Sequence, residues 1–320
     1  MPSIVLVTSS GNKAPLVRAL QIATREVLPS HVVMAGDSDE TAPTQYVADG
    51  FWPMPPTRDE FLNEIVHGLR RRQVGIVLPT RDGELMFWAN HADRLAQEGI
   101  QVIVSKPDSL QRCLDKLEFA RFGAANGLPF IPTREHFDDV RSGRWVVKER
   151  FGAGSRSIGL QLDCADAIAH AAKLESPVFQ PYIDGQEVSV DAWLDRQHQL
   201  KGLILRRRDC VVNGESQVTT TFSDARLEEQ ATAILQSLKL IGPVVMQVLV
   251  GADGGVHVIE CNPRFGGAST LGIAAGLTSL HWSLLEAAGA ELVSWPFRRI
   301  EGQIRQIRLP SDIYVTNPNF

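Results

Sequence analysis

The chain has 320 residues, a formal net charge of −5, and 44% hydrophobic against 22% charged residues. That length suggests roughly two or three domains with sizeable cores. The acidic balance leaves no basic footprint for nucleic acid and no polybasic patch for a membrane surface, and no apolar run approaches the ~20 residues of a membrane span.

The chain opens MPSIVLVTSSG. It has no charged leading region and only a short apolar run, so it reads as a first strand over 4–8 and not as a signal peptide. The loop SSGNKAP turns into a helix over 15–27. Residues 31–35 form a second strand, 58–72 a helix, and 74–78 and 102–104 further strands. This βαβ spacing predicts a parallel sheet with helices on both faces. A glycine loop after the first strand and Asp37 after the second invite a dinucleotide reading. The loop reads Thr8-Ser9-Ser10-Gly11-Asn12-Lys13, however, and lacks the three spaced glycines of that fingerprint. LPTRDGEL, 78–85, follows a strand and so lies at the carboxyl edge of the sheet, where open α/β sheets place ligands. Asp82 is a candidate substrate contact there, or else a helix cap.

Residues 110–125 carry apolar side chains at helical spacing, with Lys116 on the helix and Asn126-Gly127 to stop it. A strand over 145–147 leads into Lys148 and then RFGAGSRSIG, a loop rich in glycine and serine, before a returning strand over 158–162. Glycines let backbone N–H groups approach an anion, and Ser155 adds a donor; a lysine just before such a loop suits polyphosphate. No Gly-Lys-Ser/Thr leads into a helix, so this is not a P-loop. After a helix over 165–174 come an extended apolar segment, 178–183, an Asp184-Gly185 turn and an alternating strand over 187–194. The backbone beside Tyr182, followed by the Glu187 carboxylate, suits a purine edge and then a ribose diol. The strand 202–208 ends in three arginines, with Arg206 and Arg208 on one face, either a solvated edge or a contact for phosphate or carboxylate.

An amphipathic helix over 227–240 precedes two apolar runs, 244–250 and 256–262, joined by GADGG and read as a β-hairpin. Strict alternation puts Val258, Glu260 and Asn262 on one face and Ile259 and Cys261 on the other. A turn centred on Asp253-Gly254 sets Gln247 opposite Glu260; one centred on Gly254-Gly255 sets it opposite Asn262. Either way one carboxylate and two amide oxygens share a face. Such a set suits a hard cation that borrows ligands from phosphates, which is the habit of magnesium. Arg264 and the flexible Gly266-Gly267 pair follow. A helix over 277–288 and a closing strand over 303–309 end the chain. The four cysteines, Cys113, Cys164, Cys210 and Cys261, form no Cys-x-x-Cys and read as reduced thiols of a cytoplasmic protein.

In this order DKLEFARFGAANGLP, WVVKERFGAGSRSIG, VFQPYIDGQEVSVD and MQVLV followed by VIECNPRFGG resemble the ATP-grasp superfamily, in particular its carbamoyl-phosphate-synthetase-like branch. The resemblance covers about 106–310 and implies an α/β fold: an N-terminal parallel α/β pre-ATP-grasp domain (1–105), then an ATP-grasp fold of two α+β subdomains, one with the glycine loop (106–184) and one with the metal site (185–320). It implies that Lys116 and Lys148 hold the ATP phosphates under a mobile glycine loop, 152–157, that includes Gly154 and Ser155. Gln180, Tyr182 and Ile183 read adenine, with Leu249 beneath the base, and Glu187 takes the ribose hydroxyls. Glu260 and Asn262 match ligands of Mg2+ (or Mn2+), with Gln247 where many members carry Asp. Arg264 matches the arginine that faces the transferred phosphoryl group. Arg206, Arg208, Asp82, Gly266 and Gly267 are the candidate substrate contacts. Glu149 departs from the pattern, standing where a proline often follows the loop lysine.

The reaction so implied is ADP-forming ligation of a small-molecule carboxylate to an amine through an acyl phosphate, in an enzyme for which a homodimer is compatible. The alternatives are a carboxylate kinase or carboxylase without an amine acceptor, and a non-catalytic nucleotide-binding module. The single set of motifs, without tandem duplication, speaks against carbamoyl phosphate synthesis itself.

Overall fold

The structure is a computed structural model that describes residues 3–136, 143–152, 157–212 and 214–314. The first sheet is parallel, in the order β3-β2-β1-β4-β5. It is built from β1 (Ile4–Thr8), α1 (Ala14–Val27), β2 (Val32–Asp37), β3 (Gly50–Pro53), α2 (Leu62–Arg71), β4 (Val74–Pro79), α3 (Asp82–Gln97) and β5 (Gln101–Val102). Alternation along β1 sends Val5 and Val7 to one core and Leu6 to another. Leu6 meets Ile65 and Leu69 of α2 and Trp88 of α3, while Val5 and Val7 meet Leu16 and Leu20 of α1. This second face is also covered by Leu280 and Leu284 of α9 (Ser279–Ala287), from the far end of the chain. Each fully buried leucine contributes roughly 2 kcal/mol relative to exposure, so α9 ties the C-terminal part firmly to the first sheet.

Next come α4 (Pro107–Leu114) and α5 (Lys116–Ala125). The apolar spacing suggests one helix over 110–125; the structure breaks it at Asp115. That residue is extended (φ −101°, ψ 107°), and its carboxylate accepts from the Leu117 and Glu118 N–H groups, starting α5 afresh. A small antiparallel sheet, β7-β6-β8, follows from β6 (Trp145–Glu149), β7 (Gly159–Leu162), α6 (Cys164–Ala171) and β8 (Pro177–Pro181).

The third sheet is antiparallel through its interior, in the order β13-β12-β9-β10-β11-β14. Its strands are β9 (Gln186–Leu194), β10 (Leu200–Val212), β11 (Glu215–Phe222), β12 (Gly242–Val250), β13 (Val256–Asn262) and β14 (Arg305–Ile307), with α7 (Ala225–Ser237) and α8 (Ser269–Ala274) in the connections. Its core face packs on α7 and on Cys113, Phe119 and Phe130.

The β12–β13 hairpin corrects the strict alternation. Val250 pairs with Val256 and Val248 with Val258, but Gln247 pairs with Glu260, so Ile259 is an extra residue in β13. This β-bulge shifts the phase of the strand. Val256, Val258 and Cys261 all lie in the core, while Glu260 and Asn262 turn to the opposite face with Gln247. Val258 therefore does not share a face with Glu260. The closing turn is also longer than a two-residue hairpin, with the Gly251 N–H donating to the Gly255 carbonyl. The bulge compensates for that turn and leaves Gln247 opposite the carboxylate.

Candidate functional site

The small sheet and the large one face each other across a cleft of about 670 Å³. From the small sheet come Val146, Lys148 and Gln180; from the large one come Glu187, Gln247, Leu249, Ile259 and Glu260, with Lys116 at one end and Tyr182 and Ile183 at the other. Ile131, Val146, Ile183, Leu249 and Ile259 supply an apolar lining, and Lys116, Lys148 and Glu260 lie close enough to act on one another's charge. A largely apolar cleft with a few convergent charged groups is the kind of site a nucleotide requires.

Lys148 sits mid-strand on β6 and is only 5% exposed. Its pKa is lowered to about 8, chiefly by burial; Glu260 pulls it up and Lys116 pushes it down. Lys116, the first residue of α5, donates from Nζ to the Gly152 carbonyl at 2.9 Å. Burial lowers its pKa as well, against the pull of Glu260, Asp82, Asp115 and Glu149. Two desolvated lysines that share Glu260 as a neighbour carry a cost of burial that a bound polyanion would relieve.

Asp115 and Arg150 hold this end in place and went unrecognised in the sequence. Arg150 donates from Nε to Asp115 Oδ1 at 2.8 Å and from Nη2 to Oδ2 at 2.7 Å, with Nη1 on Glu135 Oε1 at 3.0 Å. Burial works to raise the Asp115 pKa, but Arg150 and the two capping N–H groups bring it below its usual value. The preference for Asp at helix N-caps was the available signal, hidden because 110–125 reads as one helix. Glu149, where the family pattern has proline, accepts from the Glu175 and Ser176 N–H groups at 2.8 and 2.9 Å and so fixes the turn before β8.

On β13 the Asn262 amide donates to Glu260 Oε1 at 2.9 Å. Among the described residues no cluster of three or more His, Cys, Asp and Glu side chains gathers. The donor set is therefore a single carboxylate with two amides, which fits a magnesium ion that takes its other ligands from phosphates and water.

Glu187 lines the cleft and accepts from Arg208 at 2.6 Å; Arg208 also donates to Ser216 Oγ and to the Gly214 carbonyl. Arg206, a candidate substrate contact, is turned into the protein instead. It is 4% exposed and bound to Asp191 at 2.7 Å. Asp191 accepts in turn from Ser269, whose Oγ receives the Gly266 N–H. Arg206 thus braces the glycine turn from behind. Gln180 spends its amide on Thr133 Oγ1, and the Tyr182 hydroxyl receives the Gln161 amide. Gly154 and Ser155 lie outside the described residues.

Beyond Glu260 a second cavity of about 480 Å³ is lined by Arg81, Asp82, Lys116, Glu260 and Asn262, among others. Asp82 does not cap α3. Glu84 does so, accepting from the Thr80 and Arg81 N–H groups, while Asp82 pairs with Arg264. Gly266 and Gly267 open on a third cavity of about 370 Å³. Asp37 holds the first loop, accepting from the Gly11 N–H at 2.7 Å, which gives this residue a structural task in place of a ribose contact.

Residues 5–103 match the family described as PylC-like, N-terminal domain, and residues 173–307 the family described as ATP-grasp in the biosynthetic pathway with Ter operon. The chain has the ATP-grasp fold. An L-amino acid ligase from Bacillus licheniformis shares it at TM-score 0.76 and 16% identity, over 98% of this chain and 81% of that one. So does the biotin carboxylase domain of Hydrogenobacter thermophilus 2-oxoglutarate carboxylase, in complex with MgADP, ADP and bicarbonate, at TM-score 0.74 and 17% identity, over 95% and 73%. Rhizobium etli pyruvate carboxylase T882A with acetyl coenzyme A matches at TM-score 0.75 and 18% identity, over 96% of this chain but 31% of that one. The present chain thus spans about a third of that carboxylase. The ATP-grasp resemblance carried by the motifs is borne out, and among the described residues no helix is long and apolar enough to cross a membrane.

Proposed function

We propose that the chain is an ADP-forming carboxylate–amine ligase. The observation that carries this reading is the meeting of Lys116, Lys148, Gln247 and Glu260 in the apolar cleft, with Asn262 and the Arg264–Asp82 pair just beyond it. ATP lies with its base against Leu249 and the Gln180–Ile183 segment, its ribose at Glu187 and its phosphates at the two lysines. A magnesium ion held by Glu260, Asn262 and Gln247 neutralises charge on the phosphate oxygens when bound.

A carboxylate oxygen of the substrate attacks the γ-phosphorus, the bond to the ADP oxygen breaks, and an acyl phosphate forms. The amine nitrogen then bonds to the acyl carbon, phosphate leaves and the nitrogen gives up a proton. Phosphoryl transfer of this kind needs mainly charge neutralisation and in-line positioning, which is what lysines and an arginine fork supply.

Phosphate release from Mg-ATP, measured over a panel of carboxylates with and without amines, tests the proposal. The ligase requires both. Release with a carboxylate alone points to a carboxylate kinase or carboxylase, and nucleotide binding without release under any carboxylate leaves a binding module.

A further inference from the structure

The third cavity carries chemistry that the nucleotide cleft does not absorb. It lies between the start of α1 and the Gly266-Gly267 turn, and Lys13, Gln217 and Arg308 give it polar groups. We propose that this cavity binds a second anionic group, a carboxylate or a phosphate, borne by one of the substrates, with Lys13 as its counter-ion. The word "substrate" here rests on the ligase reading; the anion site rests on the cavity itself.

The charges around it do not cancel. Arg264 and Asp82 satisfy one another, and Arg308 is paired with Glu215. Among the described residues Lys13 Nζ has no hydrogen-bond or ion-pair partner. Burial lowers its pKa, Arg264 and Arg308 lower it further, and Glu215 and Asp82 oppose them. An unpaired, partly desolvated ammonium beside two guanidiniums is a cost that a bound anion removes. The first turn of α1 holds no acidic residue, so the helix end adds positive potential of the same sign.

The lysine is also held in place. Its N–H donates to the Ser10 carbonyl at 2.7 Å, and the Ser10 and Gly11 N–H groups are bound to the Gly36 carbonyl and to Asp37. On the opposite side Arg308 donates to the Gly267 carbonyl, and a Cβ built on Gly267 would come within 3.1 Å of the guanidinium. Glycine therefore leaves room for that contact. Pro15, Leu16, Leu309 and Pro310 complete the walls, so the occupant is a small, partly aliphatic molecule with an anionic end.

The cavity neighbours the Arg264–Asp82 pair, both members of which act on the Lys13 charge. Asp82 and Glu260 share the middle cavity, Arg264 joins Asp82, and Gly266 follows two residues after Arg264. A substrate whose reacting group lies at Arg264 reaches Lys13 with its far end.

The test is thermal melting of the full chain with inorganic phosphate, succinate or uncharged succinamide, for the wild type, Lys13→Gln and Lys13→Arg. At least one anion is expected to stabilise the wild type. Its half-effect concentration should be roughly 10- to 100-fold higher for Lys13→Gln, the scale of losing a charged hydrogen bond, with Lys13→Arg much closer to the wild type. Phosphate acting alone assigns a phosphate-bearing substrate, and succinate acting alone a carboxylate. Anion held at Lys116 and Lys148 affects all three proteins alike. Equal responses of wild type and Lys13→Gln, no anion response at all, or stabilisation by succinamide overturns the proposal. Mg-ADP is run in parallel: its failure to stabilise any of the three proteins counts against the ligase reading while leaving the Lys13 comparison decisive for the anion site.

Discussion

Arg264 and Asp82 form a two-point ion pair between the turn after β13 and the first helix after β4: Nε to Oδ1 is 2.9 Å and Nη2 to Oδ2 is 2.5 Å. The side chains are 15% and 13% exposed, so the pair is largely withdrawn from water and joins parts of the chain 182 residues apart. Asp82 takes two of the fork's donors and the Phe265 carbonyl takes Nη1, so to meet a transferring phosphoryl group Arg264 must share or leave that carboxylate. Arg264→Lys keeps the charge and loses the fork. Turnover is expected to fall by about 10²-fold with the KM for ATP little changed, because the lost interaction belongs to the transition state. An unchanged kcat with a lowered melting temperature would leave Arg264 as a structural link alone.

Glu260 is the only carboxylate in the proposed metal set. Glu260→Gln is expected to reduce turnover by about 10²-fold or more and to abolish the dependence of Mg-ADP stabilisation on magnesium. Wild-type rates that survive EDTA would remove the metal assignment.

Lys148 opposes binding against stability. Its pKa of about 8 lies below that of a lysine in the unfolded chain, so between about pH 8 and the unfolded value near 10.4 the unfolded state binds more protons. Stability from this group therefore rises with pH across that window, and at neutral pH the buried charge costs about 3 kcal/mol. Lys148→Met is expected to melt higher than the wild type at pH 7, by a margin that shrinks towards pH 10, and to lose stabilisation by Mg-ADP. A lower melting temperature at pH 7 would mean that neighbouring groups compensate the ammonium more than its burial indicates.

Much of this site was legible in the sequence because its determinants are local. The Asn-Pro-Arg run, the lysine before a glycine loop and the Asp-Gly turn each fix a short stretch whatever the rest of the chain does. The shared face of Gln247, Glu260 and Asn262 was readable in the same way, while the choice between Glu260 and Asn262 as the partner of Gln247 was left open and the structure makes it Glu260. The placement of Val258 was not, because a bulge answers to the length of the closing turn and to the core behind the strand, neither of which periodicity encodes. Arg206 was misread for a similar reason. Three adjacent arginines look alike in sequence, and only the pairing of β10 with β9 brings Asp191 within reach of one of them. The strands 50–53 and 215–222 and the helices 82–97 and 269–274 went unread: the first strand is four residues long, and β11 is rich in threonine with no clean alternation.

Asp115 gives a prediction at the edge of the site. It starts α5, whose first residue is Lys116, and anchors Arg150. Asp115→Ala removes a cap and leaves Arg150 with Glu135, at a combined cost of about 2–3 kcal/mol after allowing for the partial exposure of the arginine. The KM for ATP should rise as Lys116 loses its mount. Because the carboxyl pKa is lowered in the folded state, the stability it contributes is present above the unfolded value and is lost as pH falls through the folded one. The gap in melting temperature between wild type and Asp115→Ala should therefore close in acid. A gap independent of pH would show that the charge is not what Asp115 contributes.

The extra residue at Ile259 also constrains anyone who edits this hairpin. Deleting Ile259 itself would keep Glu260 on the face of Gln247, but smoothing the bulge with Ile259 retained and Val248 still paired to Val258 returns β13 to simple alternation and exchanges the two faces beyond Val258. Glu260 would then be driven among Val248, Met246 and Leu235 while Cys261 faced the cleft. A graft of the Glu-Cys-Asn-Pro-Arg segment into another scaffold must carry its bulge, or the carboxylate arrives on the wrong side of the sheet.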